Sequence, residues 1–164
     1  MSILSKIILT LFTLLLIPGC ISSLFKEPKP TFSNNIVLPT FDHNYVKIED
    51  HVYPAWRHQQ TGNIISVVSD CINSNYNLKT AHSMLTDILS EVKISEERFV
   101  QIKQRQSFYK HLNAKVDFKP VEVEAYSLSD NYCYYVVALT GHPDKIAQNS
   151  SDLKTFTENI EFKK

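Results

Sequence analysis

Three cysteines carry the most reactive side chains in this 164-residue sequence. Cys20 follows Pro18 and Gly19 at the end of an apolar run over residues 7–17. A cysteine thiol can act as a nucleophile, and the small Gly19 leaves the backbone before Cys20 open to a peptidase. Cys20 is therefore a candidate for modification on its sulfur.

Residues 1–20 resemble the signal and lipobox of bacterial lipoproteins, with Ile17-Pro18-Gly19-Cys20 as the lipobox. In that family the Cys accepts a diacylglyceryl group and becomes the first residue of the mature protein. The apolar run suits a signal core and is shorter than the roughly 20 residues of a membrane span. Pro18 departs from the family, which has a small or β-branched residue there. An uncleaved membrane helix and a cleaved, unlipidated product are the alternatives.

The lipoprotein resemblance also implies an address. Asp after the lipidated Cys retains many enterobacterial lipoproteins at the inner membrane, and this chain has Ile21 instead. We therefore expect a cell-envelope protein held in the outer membrane by its lipid. Its partners would be the membrane and an envelope protein.

The other two cysteines, Cys71 and Cys133, form an even pair in an exported domain, which favours a disulfide. Each lies near the end of a predicted strand. In the chain-entropy model, closing a loop of this length stabilises the fold by roughly 4 kcal/mol. The alternative is two separate buried thiols, because the sequence does not give the distance between them.

Four aromatic residues are candidates for a binding surface. They are Tyr53, Trp56, Tyr132 and Tyr134. Aromatic rings with polar tips are common where proteins bind partners, and they are equally common in ordinary sheet cores. Tyr132 and Tyr134 share one side of their predicted strand.

We predict no catalytic residues, no metal site and no cofactor. No His pair has the spacing of a zinc-binding helix, and three glycines are too few for a phosphate-binding loop. Lys and Arg number 17, as do Asp and Glu, so no basic field favours nucleic acid.

The pattern of apolar residues predicts a single α+β domain, in which an antiparallel sheet carries one main helix and a C-terminal helix. Residues 1–19 are the signal, 20–40 the lipidated Cys and a Pro-rich tether, and 41–164 the domain. An ordered arm packed on the domain is the alternative for the tether. The main helix is predicted over residues 77–92, from apolar residues at helical spacing. The C-terminal helix is predicted over about 151–160.

The domain also faintly resembles the PsbP/Mog1-like group of small α+β domains. The features that carry this resemblance are Trp56, the strand entry at Gly62–Val67, the central helix and the closing Phe156-Ile160-Phe162 element. Members of that group mostly act as accessory or binding proteins. We therefore expect a non-catalytic accessory or binding module, the alternative being an envelope enzyme whose site is assembled from residues distant in sequence.

Overall fold

Strand pairing organises the part of the chain that the computed structural model describes, which is residues 32–33, 35–49, 51–71, 76–130 and 133–163. All of these residues lie in the unit Thr31–Lys164. The strands are β1 (Ile36–Val37), β2 (Tyr45–Lys47), β3 (Ala55–His58), β4 (Ile64–Asp70), β5 (Ser90–Ile102), β6 (Arg105–Val116), β7 (Lys119–Asp130), β8 (Cys133–Gly141) and β9 (Glu161–Phe162). Seven of them form an antiparallel sheet in the order β2-β3-β4-β8-β7-β6-β5, and β1 pairs with β9.

The centre of the sheet is formed by β4 and β8, which are the two strands richest in consecutive apolar residues. They are antiparallel, with Val67 opposite Val137 and Ile65 opposite Leu139. All four of these side chains are fully buried. Continuous β-branched and apolar runs of this kind suit strands that are covered on both faces.

Strands β5 to β8 follow one another in the sheet as successive hairpins. The connection between β6 and β7 is the two-residue turn Asp117–Phe118, in which both residues have positive φ, 48° and 64°. Positive φ at both positions is the mark of a turn whose twist matches the strands it joins. The short turn fixes the register, with Val116 opposite Lys119.

Helices cover both faces of the sheet. The helix α1 (Ser83–Thr86) follows a 3₁₀ turn, Thr80–His82, and the helix α2 (Ser150–Glu158) follows a second 3₁₀ turn, Ile146–Asn149. Leu153 and Phe156 of α2 pack on what we term the α2 face, and Ala81 packs on the opposite α1 face. The α1 face is lined by Leu112, Ala114, Val123, Ala125, Val136 and Ala138.

The predicted α+β fold with an antiparallel sheet is confirmed, and the C-terminal helix lies where it was expected. The prediction for the main helix, residues 77–92, was wrong in length. Helical structure there ends at Thr86, and β5 begins at Ser90. The helical stripe failed because Ile88 and Val92 do not pack inward; their exposed fractions are 79% and 41%.

Pairing with β6 explains why this stretch becomes a strand. Lys93 lies opposite Asn113 and Ile94 opposite Leu112, so residues after Leu89 satisfy their backbone groups across the sheet. Tertiary pairing of this kind overrides local helix propensity. In the described ranges, neither helix has both the length and the hydrophobicity to cross a bilayer.

The fold begins earlier than the predicted boundary at Phe41. Within the predicted tether, Ile36–Val37 forms β1, opposite Glu161 and Phe162 of β9. Ile36 is 5% exposed and belongs to the core on the α2 face. Residues 35–38 therefore form an ordered arm packed on the domain, which was the alternative to a tether. Burial of Ile36 stabilises this arm, because it removes apolar surface from water. Cys20 and the signal lie outside the described residues.

A buried histidine holds the 3₁₀ turn before α1 against the sheet. His82 is 2% exposed, and its Nε2 donates a hydrogen bond to the carbonyl oxygen of Phe108 at 3.1 Å. Burial lowers the pKa of His82 to about 4, with Lys110 acting in the same direction, while the Phe108 hydrogen bond and Glu97 oppose it. The folded protein therefore favours the neutral imidazole.

Ile36→Ala should lower the free energy of unfolding by about 2–4 kcal/mol, because it removes a buried side chain and leaves a cavity. Val37→Ala is the matched control, since Val37 is the neighbouring residue in β1 and is 47% exposed. It should cost less than about 0.5 kcal/mol. Urea denaturation followed by fluorescence measures both; equal small effects would mean that the arm adds nothing to the fold.

The stability that the neutral His82 contributes should be fully present above pH 6.5 and lost as the pH falls towards 4. A pKa lowered from 6.5 to about 4 corresponds to at most about 3 kcal/mol. Urea melts at several pH values should show a flatter dependence over this interval in His82→Gln than in the parent. The exposed His142 supplies the control, and His142→Gln should keep the parent's slope. An unchanged slope in His82→Gln would contradict the prediction.

Candidate functional site

A cleft of about 240 Å³ lies between the chain that leads into β2, the end of β3 and one side of α2. Its lining combines aromatic rings with carboxylate, amide and hydroxyl groups. The lining residues are Pro39, Thr40, Phe41, Asp42, Asn44, Tyr45, His58, Asp152, Thr155, Phe156 and Asn159. A concave site with a few convergent polar groups is the usual form of a small binding site.

A hydrogen-bonded polar network underlies this cleft. The Oδ2 atom of Asp152 accepts from the Tyr45 hydroxyl and from Asn149 Nδ2, each at 2.8 Å. The Oδ1 atom of Asn149 in turn accepts from Thr61 Oγ1 and Asn63 Nδ2, also at 2.8 Å. The network therefore ties β2 and the turn before β4 to the start of α2.

Asn63 is the innermost member of the polar network and is fully buried. Its Nδ2 also donates to the Lys145 carbonyl oxygen at 2.9 Å, which assigns its Oδ1 to the side that faces Gly141. A Cβ atom on Gly141 would lie 2.0 Å from that oxygen. The last residue of β8 therefore has to be glycine for Asn63 to keep its place.

The Tyr45 hydroxyl stays protonated and donates inward. Burial raises its pKa well above the ordinary value of 10, and the hydrogen bond to Asp152 and the charges of Asp152 and Asp42 act in the same direction. A hydrogen bond with Asn149 opposes them. The hydroxyl hydrogen is thus committed to Asp152.

Stacked aromatic rings form the apolar wall of the cleft. The ring of Phe41 stacks on Tyr45 and on Phe156, with centroid distances of 4.2 and 4.6 Å. Trp56 lies behind them, 5.3 Å from both Phe41 and Phe156. This packing seats the 39–45 segment on α2 and fixes the width of the cleft.

His58 lies at the edge of the cleft. Its ring meets Tyr45 edge-on at 4.9 Å, and its Nδ1 accepts a hydrogen bond from the backbone N–H of Thr61 at 3.2 Å. Because Nδ1 is an acceptor, Nε2 carries the hydrogen in the neutral ring. The Nδ1 edge of the imidazole is thus held by the same turn that begins the polar network.

The predicted binding residues do not form one surface. Trp56 packs on the core of the α2 face, beside the cleft, whereas Tyr134 packs on the α1 face. Burial raises the pKa of Tyr53, and the charges of Asp70 and Tyr76 act in the same direction. Tyr132 lies outside the described residues. Binding by these residues stays a prediction.

Sequence reasoning missed Tyr45, Asn149 and Asp152. The Tyr45 and Asp152 side chains are in contact although they are 107 residues apart in the sequence, and no local motif predicts such a pair. In the described part of the chain, no three His, Cys, Asp or Glu side chains are grouped as they would be around a metal ion.

The Sγ atoms of Cys71 and Cys133 lie 2.10 Å apart, as in a disulfide. The two residues are neighbours because Asp70, the last residue of β4, pairs with Tyr134 in β8. Ser33 of the N-terminal arm lies beside them, with its Oγ 3.8 Å from Cys133 Sγ and 3.1 Å from the Tyr135 hydroxyl. The disulfide itself remains a prediction for thiol chemistry to test.

No protein-family model matches the chain, and no curated protein matches it. Solved structures do resemble it. LpqN of Mycobacterium tuberculosis, described as involved in cell envelope biogenesis, has a TM-score of 0.55 at 13% identity, over 79% of this chain and 83% of LpqN. PA94 of Pseudomonas aeruginosa, a protein of unknown function, has a TM-score of 0.50 at 12% identity, over 81% of this chain and 86% of PA94.

These two likenesses show a shared fold and nothing finer, since both identities are low. The cyanobacterial PsbP protein of Synechocystis, CyanoP, has a TM-score of 0.49 at 10% identity, over 80% of this chain and 84% of CyanoP. That score is too low to support an inference. The resemblance to the PsbP/Mog1-like group therefore stays a prediction at the level of the family.

Gly141→Ala should lower the free energy of unfolding by about 2–3 kcal/mol, because the new methyl group overlaps the buried Asn63 amide. The same substitution should cost clearly less in an Asn63→Ala background, where the overlapping atoms are gone. A double-mutant cycle in urea measures this coupling. Additive effects of the two substitutions would contradict the contact.

The folded, unreduced protein should show no reactive thiol at Cys71 or Cys133 under thiol titration, and both should react after reduction in denaturant. Cys71→Ser and Cys133→Ser should each lower the melting temperature, because each removes a cross-link that constrains the unfolded chain. The two single variants and the double variant should all lower the melting temperature by the same amount, because each removes the same cross-link. Two reactive thiols in the native protein would refute the disulfide.

Proposed function

We propose that the protein is a lipid-anchored accessory component of the bacterial cell envelope, which acts by binding and not by catalysis. The anchor would be Cys20, lipidated after removal of residues 1–19, and the outer membrane would be its site. The resemblance of residues 1–20 to a lipobox supports this part. LpqN, which shares the fold, is described as involved in cell envelope biogenesis.

The observation that supports a binding role is that Tyr45 and Asp152, the groups in the cleft best suited to acid or base chemistry, are already hydrogen-bonded within the protein. A general acid or base needs a pKa near the working pH and a proton free to move. Tyr45 has a raised pKa and donates to Asp152, and Asp152 Oδ2 already accepts two hydrogen bonds. Such groups are better suited to holding a ligand in a fixed orientation than to transferring its protons.

The anchor is tested by expressing the full chain in bacteria with a labelled fatty-acid analogue. The parent should be labelled and recovered with the outer membrane, whereas Cys20→Ala should remain an unlabelled precursor. Cys71→Ser is the control, because it removes a different thiol and should not affect the labelling. Equal labelling of the Cys20→Ala variant would end the lipoprotein proposal.

The binding role is tested by placing a photo-reactive phenylalanine analogue at Thr155, which is exposed and lines the cleft. The matched control carries the analogue at Phe118, which is 92% exposed in the β6–β7 turn and does not line the cleft. Irradiation of intact cells should give an adduct at position 155 that is absent at position 118. The same adducts at both positions would oppose a role for the cleft. Turnover of an envelope substrate that is lost in Tyr45→Phe would favour the enzyme alternative.

A further inference from the structure

We infer that the cleft binds a cationic group, an ammonium or a guanidinium carried on a short apolar stem. This inference rests on the proposed binding role of the cleft and specifies the chemistry of what it holds. It starts from the direction of each hydrogen bond in the lining.

Two side-chain amides of the lining each donate one hydrogen bond within the protein. Asn44 Nδ2 donates to Asp42 Oδ2 at 3.2 Å, and Asn159 Nδ2 donates to the Thr155 carbonyl oxygen at 3.0 Å. Carboxylate and carbonyl oxygens can only accept, so these bonds fix which end of each amide is the nitrogen. Each amide can therefore offer a ligand its oxygen as an acceptor, and its second hydrogen as a donor.

The Tyr45 hydroxyl and the two carboxylates of the lining are also hydrogen-bond acceptors. The Tyr45 hydrogen goes to Asp152, so its oxygen can act only as an acceptor, and the hydrogen bond with Asn149 already uses part of that capacity. Asp152 and Asp42 are acceptors when ionised, and their charges both raise the pKa of Tyr45, which indicates a negative potential at that hydroxyl. The lining also contains uncharged donors, namely the second hydrogen of each amide and the hydroxyl groups of Thr40 and Thr155, together with His58 Nε2.

The charge balance and the size of the cleft agree with a cation. Its lining contains two carboxylates and neither Lys nor Arg. Because hydrogen bonds with an ionised partner are stronger than neutral ones, a cationic donor gains most from such a set of acceptors. A volume of about 240 Å³ is below the range for a drug-sized molecule and suits one side chain or a small amine, with its stem against Phe41 and Phe156.

The experiment titrates the detergent-solubilised full chain with four probes: butylammonium, butylguanidinium, n-butanol and butyrate. Trp56 is the single tryptophan of the sequence and lies against two rings of the lining, so its fluorescence reports on the cleft. At constant ionic strength, one or both of the cationic probes should give a saturable change in the millimolar range. The alcohol and the carboxylate should give none.

Asp152→Asn should weaken binding of the cationic probe about tenfold, since it replaces a charged acceptor by a neutral one. Asp42→Asn, at an exposed position, gives a second test if Asp152→Asn unfolds the protein. The control is Asp117→Asn, an identical change of charge in the β6–β7 turn outside the lining, and it should leave binding unchanged. Equal weakening by Asp117→Asn would show non-specific attraction and overturn the inference.

The inference also fails if butanol or butyrate binds as well as the cations, or if no probe gives a saturable change. The proposed binding role is decided separately, by the adducts formed at position 155. A protein adduct there would identify the cation as a Lys or Arg side chain, and a small-molecule adduct would identify it as a free amine.

Discussion

One buried amide joins the parts of this domain that are distant in sequence. Asn63 lies at the entrance to β4, and its Nδ2 donates both to Asn149, before α2, and to the carbonyl oxygen of Lys145. A buried donor without a partner costs about 1–3 kcal/mol, so the two hydrogen bonds of Asn63 Nδ2 favour the position of α2 in which both are made. The position of α2 then sets the floor of the cleft, because Asp152 lies one turn further along the helix.

The constraint extends from Asn63 to the glycine opposite it and to the tyrosine above it. Gly141 leaves the space that the amide oxygen occupies, so the residue just before β4 determines which residue can end β8. Asn149 connects the amide to Asp152, and Asp152 receives the Tyr45 hydrogen. Each of these groups orients the next, and the outcome at the surface is a cleft lined by carboxylate, amide and hydroxyl groups.

The sequence was sufficient for the features that depend on local pattern. The alternation Val121-Glu122-Val123-Glu124 lies in β7, and the apolar run before Gly141 lies in β8, because both patterns are typical of strands. The alternation does not leave one face of β7 exposed, since Glu124 is buried. The stretch after Leu89 was misjudged, since Val92 fits the helical stripe with Ile88 and Leu89 and also alternates with Ile94 as in a strand. Only the pairing with β6 decides between helix and strand here, and the sequence of a segment does not show which strand it will pair with.

The cleft could not have been predicted in the same way. Tyr45, Asn63 and Asp152 are polar residues in three separate segments, and each has an ordinary local role in a turn, a strand entry or a helix start. Their convergence depends on the path of α2 across the sheet, which is set by Leu153 and Phe156 in the core. Packing positions the helix first, and the polar network then follows.

The two edges of the sheet explain why the cleft lies where it does. The β5 edge is 13 residues long, but it carries five charged residues and two register irregularities, and these features discourage pairing with another strand. The β2 edge has only three residues, so the chain before it and α2 extend past the sheet and enclose a space between them. A long edge strand there would have filled that space with its own backbone partners. The short β2 is therefore the feature of the topology that leaves room for the cleft on this side of the domain.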